Sequence, residues 1–201
     1  MVVDGIYYAL ALAVAGVLVG RLTHEAFGIP FYLLGAFCLY FFRDPERQIP
    51  PGPVAVSPAD GKVVSIKTFA PGSSRISIFL NIFDVHVNRS PIAGKIDKVQ
   101  YQSGRFRAAN REIASAENEQ NTVTVAGDDT TVIFSQIAGL IARRIVFYKK
   151  QGDCVEKGER VGLIKFGSRV DVFFGPEWEI TVKSGERVSC GSSIIAKRKD
   201  A

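Results

Sequence analysis

The chain has 201 residues, 47% hydrophobic and 22% charged, which suits a single globular domain and excludes a disordered one. Three cysteines (Cys38, Cys154, Cys190) without a C-x-x-C pair argue against a disulfide framework, and two histidines (His24, His86) are too few for a His-rich metal site. The net charge of +5 is uneven: residues 1–42 hold one basic and two acidic side chains, while the rest is basic. That split points to a membrane surface rather than to nucleic acid, for which no arginine-rich run or recognition helix is present.

The chain opens on two uncharged stretches, 6–20 and 26–42, of 15 and 17 residues. Each is somewhat shorter than the roughly 20 residues that cross a bilayer core. The expectation is an apolar helical hairpin over 1–42 that spans or dips into the membrane. Tyr7, Tyr8, Tyr32 and Tyr40 lie toward the stretch ends, where interfacial aromatics belong. Asp4, and the lack of Lys or Arg in the first five residues, disfavour a signal peptide. Arg43 and Arg47 follow the second stretch and put the body on the cytoplasmic face of the cell membrane by the positive-inside rule. His24 falls in the connecting loop.

Beyond Pro50-Pro-Gly-Pro53, short β-branched runs take over, at 62–69, 75–83, 95–101, 122–126, 131–137, 144–149, 161–166, 169–174 and 179–182. Gly, Asp and Asn clusters separate them. The fold expected for 43–201 is therefore mainly β, a compact hybrid-barrel-like or sandwich domain, with short helices at 105–117 and 138–143. Gly158-Glu-Arg-Val161 recurs as Gly185-Glu-Arg-Val188, which suggests two equivalent hairpin turns.

Several segments hold candidate chemistry. Asp60 lies in an Asp-Gly turn signal, Ser57-Pro-Ala-Asp-Gly61, and reads on its own as a turn carboxylate. His86 lies in an apolar run two residues after Asp84, hence on the same face if the run is a strand. Arg143 and Arg144 form a basic pair suited to a phosphate or a carboxylate, or to a solvated face. Gly167-Ser168 is a Gly-Ser step between apolar strands, without a G-x-S-x-G elbow.

Together these segments resemble the phosphatidylserine decarboxylase proenzymes in their short bacterial and archaeal form, archaetidylserine decarboxylases included. The resemblance runs in order through Phe41-Phe-Arg-Asp-Pro-Glu-Arg47, Ser57-Pro-Ala-Asp-Gly61, Asp84-Val-His-Val-Asn-Arg89, Asn118-Glu-Gln-Asn121, 136–144 and Phe166-Gly-Ser-Arg169. It implies a self-processing carboxy-lyase. Ser168 would attack the carbonyl of Gly167, with His86 as the base and Asp60, or alternatively Asp84, orienting it. The products would be a 1–167 chain and a chain of 34 residues, held together as a heterodimer, with further homo-oligomerisation open.

The cofactor implied is a pyruvoyl group derived from Ser168, without a metal, and the substrate is a serine phospholipid. Its backbone, diacylglycerol or isoprenoid ether, is left open. Arg143 and Arg144 would bind its phosphate or carboxylate. Two departures stand out. Longer relatives carry a second histidine where this chain has Arg89, and they cleave within Leu-Gly-Ser-Thr rather than Phe-Gly-Ser-Arg. Two rivals are a pyruvoyl enzyme for a soluble amino acid, disfavoured by the apolar head, and a membrane-tethered carrier domain modified at Lys165.

Overall fold

The structure, a computed structural model, describes residues 2–69, 71–105, 109, 114–139, 144–165 and 168–199. Its contacts divide the chain into two units, Met1–Glu46 and Arg47–Ala201.

In the first unit, α1 (Val3–Leu22) and α2 (Ile29–Phe41) flank a 3₁₀ turn, Glu25–Gly28. At 20 residues α1 is long and apolar enough to cross a membrane, whereas α2 has 13. Glycine lets the two segments approach closely: a Cβ on Gly28 would lie 2.6 Å from the carbonyl oxygen of Gly16. His24 serves locally, its Nδ1 accepting from the Ala26 N–H at 3.2 Å and so opening the 3₁₀ turn. At the end of α2, Arg43 donates to the Tyr40 carbonyl at 2.9 Å and stacks 3.9 Å over that residue's ring.

The second unit is mainly β, as the composition of its runs implies: strand exceeds helix 42% to 22% over the described residues. Among its described residues, fourteen antiparallel strands make three sheets. The largest contains β2 (Gly61–Phe69), β3 (Ser73–Leu80), β5 (Gly94–Gln102), β6 (Gln120–Ala126), β7 (Thr131–Ile137), β9 (Cys154–Val155), β11 (Ser168–Phe174) and β13 (Arg187–Val188), in the order β13-β2-β3-β11-β7-β6-β5-β9. A second is ordered β4-β10-β8, from β4 (Val87–Arg89), β8 (Arg144–Phe147) and β10 (Arg160–Lys165). The third is ordered β1-β14-β12, from β1 (Val54–Val56), β12 (Trp178–Ile180) and β14 (Ile194–Arg198).

Alternation along β3, β7 and β11 sends Ile76, Ile78, Phe134, Val170 and Val172 into one buried cluster. The opposite face of β11 is buried too, and it carries Arg169 and Asp171. α3 (Ala114–Glu117) reaches it through Ser115 Oγ, which donates to Asp171 Oδ2 at 2.7 Å. Helix over 105–117 is thus confined, among described residues, to that one turn, and Arg105 instead bridges to Asn118. The helix expected at 138–143 lies mostly outside the described residues.

The four-residue repeat folds as two like turns. Gly158 and Gly185 take φ of +77° and +94°, a region open to glycine at little cost. In each turn the following glutamate reaches back three residues: Glu159 accepts from the Glu156 N–H at 2.8 Å, and Glu186 from the Lys183 N–H at 2.9 Å.

Candidate active site

Two long segments, 73–89 and 160–174, run antiparallel past one another through two sheets. In the large sheet β3 pairs with β11, ending with Leu80 opposite Ser168. In the smaller one β4 pairs with β10, with Val87 opposite Leu163. The Ile164 N–H donates to the His86 carbonyl at 3.2 Å. Between the two pairings the first segment turns aside at 81–84, where the Asp84 N–H bonds the Asn81 carbonyl. Gly167 lies outside the described residues.

Ser168 begins β11 on the face shared with Val170, against Leu80. It is 0% exposed, and its Oγ has no hydrogen-bond partner among the described residues. An unpaired buried hydroxyl costs about 1–3 kcal/mol, so its presence calls for a chemical reason.

His86 is also buried. Its Nδ1 lies 2.9 Å from the Asp84 carbonyl oxygen. Since a carbonyl only accepts, this contact puts the proton on Nδ1 and leaves the lone pair of a neutral ring on Nε2. The run 75–83 does not continue as one strand into His86. A turn at 81–84 intervenes, because the Asp84 N–H donates to the Asn81 carbonyl at 3.0 Å and the Asn81 N–H to Asp84 Oδ2 at 2.9 Å. Asp84 Oδ1 accepts from Arg187 on β13. Asp84 therefore meets the imidazole through its main chain, while its carboxylate serves the turn and Arg187.

Asp60 accepts from Arg47 Nη2 at 3.1 and 3.0 Å and from the Cys190 N–H at 2.7 Å. The Cys190 thiol in turn meets the Val87 carbonyl at 3.4 Å, one residue after His86. Burial raises this thiol well above the ordinary range, and the Asp60 charge adds to the effect against the opposing pull of Arg89 and Arg47. Arg89 is buried and donates to the Gly158 carbonyl at 3.0 Å.

Arg144 is exposed and pairs across the strands with Lys165, which is 9% exposed and three residues before Ser168. Arg143 lies outside the described residues. A lysine so deeply set in a strand is unsuited to enzymatic modification, which needs an exposed turn. Among the described residues, no three His, Cys, Asp or Glu side chains converge as a metal site would require.

The structure gives partners to groups that the sequence placed in motifs without a role. A relay of buried amides runs from Asn121 Nδ2 to Gln136 Oε1 at 3.1 Å, and from Gln136 Nε2 to Asn88 Oδ1 at 2.9 Å. It ties β6 and β7 to β4, two residues beyond His86. Polar amides inside otherwise apolar strands were its visible signal. Arg47 and the buried Arg169 stood in motifs without a role at the site, and Cys190 gave no signal.

A mainly β domain whose one orphaned buried hydroxyl, among the described residues, begins a central strand suits the self-processing proenzymes that the motifs resemble. Sequence comparison agrees. The family model for phosphatidylserine decarboxylase matches residues 34–196. A phosphatidylserine decarboxylase proenzyme from Solibacter usitatus is 69% identical over 200 residues, covering 100% of this chain and 98% of that protein. Proteins of the same name from Desulfotalea psychrophila and Magnetococcus marinus are 45% and 40% identical, over 83% and 96% of this chain and 82% and 92% of theirs. The chain belongs to the phosphatidylserine decarboxylase family.

Proposed function

We propose that this chain is a proenzyme that cuts itself between Gly167 and Ser168 and then decarboxylates phosphatidylserine, or its isoprenoid-ether counterpart, to the ethanolamine lipid. The observation that carries the reading is the buried Ser168 hydroxyl at the start of β11, without a hydrogen-bond partner among the described residues.

The Ser168 hydroxyl attacks the Gly167 carbonyl, turning the amide into an ester, while His86 Nε2 takes the hydroxyl proton. Removal of the Ser168 Cα proton then expels the ester oxygen. The first chain leaves with a carboxylate at Gly167, and residue 168 becomes a dehydroalanine. Water converts that to a pyruvoyl end with loss of ammonia. The residues present fit such a group, because the start of β11 is dry and holds a polar atom with nothing else to do. When formed, it supplies a ketone that takes the substrate's amine and accepts electrons as carbon dioxide departs.

Asp84 fixes the His86 ring through its carbonyl. Asp60 acts at one remove, anchoring Arg47 and the Cys190 N–H beside Val87. Lys165 and Arg144, with Arg143, supply positive charge for the lipid's phosphate and carboxylate. The 1–42 segment associates with the cell membrane and leaves the β domain on its cytoplasmic face. The two products stay joined by strand pairing: β11 lies between β3 and β7, β13 pairs with β2, and β14 with β1.

Intact-mass measurement tests this. The expected result is two chains meeting at 167/168, the 34-residue one resistant to Edman degradation until reductively aminated. Ser168→Ala should remain one chain without lipid turnover. A single unmodified chain in an active preparation overturns the reading.

A further inference from the structure

The turn that separates β3 from His86 is built unusually. Its two central positions, where Pro, Gly, Asn or Asp commonly sit, hold Ile82 and Phe83, 36% and 61% exposed. The Asp84 N–H closes the turn on the Asn81 carbonyl at 3.0 Å, and the Asn81 N–H and side chain add bonds to Asp84 Oδ2 at 2.9 Å and from the Phe83 N–H at 2.8 Å. Arg187 clamps the same Asp84 carboxylate from β13. Two large apolar side chains are thus held outward on a braced apex. A local rule broken where the bracing is this complete marks a functional position.

The placement says what the apex meets. Leu80, the register partner of Ser168, is followed by Asn81, Ile82 and Phe83, so the apex lies within three residues, about 10 Å of chain, of the strand position opposite the reactive serine. The flank is basic. Arg187 is 62% exposed despite its ion pair, and its strand partner Lys62 is exposed as well. Apolar tip and cationic flank together match the acyl boundary and anionic headgroups of a bilayer.

We propose that the Ile82–Phe83 turn is a membrane wedge. It enters the interface of an anionic phospholipid bilayer, with Lys62 and Arg187 on the headgroups, and so brings the buried Ser168 position to the depth of the lipid's serine. This deepens the proposed function and rests on it only for the lipid's identity as substrate.

The test uses the full chain. Phe83→Trp is mixed with vesicles of phosphatidylserine and phosphatidylcholine carrying bromine on their acyl chains; native Trp178, which is buried, contributes a constant background. The new emission should shift to the blue and be quenched. Emission unmoved by brominated lipid overturns the wedge.

In a second arm, Ile82→Ser/Phe83→Ser should process fully and decarboxylate monomeric short-chain phosphatidylserine within about twofold of the parent. Its turnover on vesicles should fall about ten- to a hundredfold, the scale of losing two apolar side chains from the interface. Equal losses on both substrate forms, or none, overturn the proposal. So does a drop in sedimentation coefficient without lipid quenching, which would assign the tip to a second copy of the chain. If the parent decarboxylates nothing, the proposed function fails, and the quenching arm still decides the wedge.

Discussion

Arg169 Nε donates to Asp171 Oδ1 at 2.6 Å, and both side chains are 1% exposed, one and three residues after Ser168. Arg169 Nη2 also reaches Ser77 Oγ at 2.6 Å, and Arg75 Nη1 lies 3.8 Å from Asp171 Oδ2. The arrangement suits a strand that becomes a chain terminus. In the proposed processing, cutting the 167–168 bond would give β11 a free end where the reactive group must hold still, and ends of strands fray unless tied down.

The first prediction concerns this pair. Measured by denaturant unfolding in the uncut Ser168→Ala chain, Arg169→Met should cost about 3–5 kcal/mol, the scale of breaking a buried ion pair. Asp171→Leu should cost more, because it removes the carboxylate shared by Arg169 and Arg75 and the acceptor of Ser115. If both variants unfold at the parent midpoint, the pair is not what holds β11.

Much of the fold was legible in the chain, and the exceptions share a cause. Residues 131–137 are one strand from end to end, because β-branched alternation and a Gly-Asp-Asp turn agree there. The run 75–83 overshoots: Ile82 and Phe83 look like strand continuation, yet contacts of Asn81 and Asp84 fold them into a turn. At the site, Ser168 and His86 stood out as chemistry-bearing residues in apolar surroundings. The partners of Asp60 did not, since Arg47 and Cys190 lie 13 and 130 residues away and only tertiary folding joins them. Arg169 stood in the sequence only as the end of the Phe166–Arg169 motif, and it is the sheet that buries it.

The second prediction concerns the base. His86→Ala should slow self-cleavage about 10²–10⁴-fold, the usual contribution of a positioned base, and added imidazole should restore part of the rate. Asp84→Asn keeps the carbonyl that fixes the ring, so its processing, followed by gel shift, should stay within about tenfold of the parent on the same scale. Cleavage abolished equally in Asp84→Asn and His86→Ala would show that the carboxylate, not the carbonyl, carries the role.

The third prediction concerns the amide relay. Gln136→Leu takes the partner from Asn88 Oδ1 and from Asn121 Nδ2 in a dry interior and should cost about 1–3 kcal/mol for each atom left unpaired. Asn88→Ala on top of it should add little, giving a coupling of about 0.5–3 kcal/mol in a double-mutant cycle. Strict additivity would mean that the three side chains do not act as one network.

The last prediction uses the cysteines as reporters of the junction between the two products. Cys154 is exposed, whereas Cys190 is buried with its thiol held protonated by desolvation and by the neighbouring Asp60 charge. Iodoacetamide should therefore label Cys154 quickly and leave Cys190 intact in the native protein. In the proposed cleavage Cys190 goes to the small chain, while its contacts, Val87 and Asp60, stay in the large one. Its labelling then requires the two chains to part locally, so the rate measures that opening. Arg169→Met, which loosens β11, should speed labelling of Cys190 and leave Cys154 unchanged, as read by mass spectrometry of the separated chains. A Cys190 that labels as fast as Cys154 in the processed parent would show that strand pairing alone does not keep the two pieces closed.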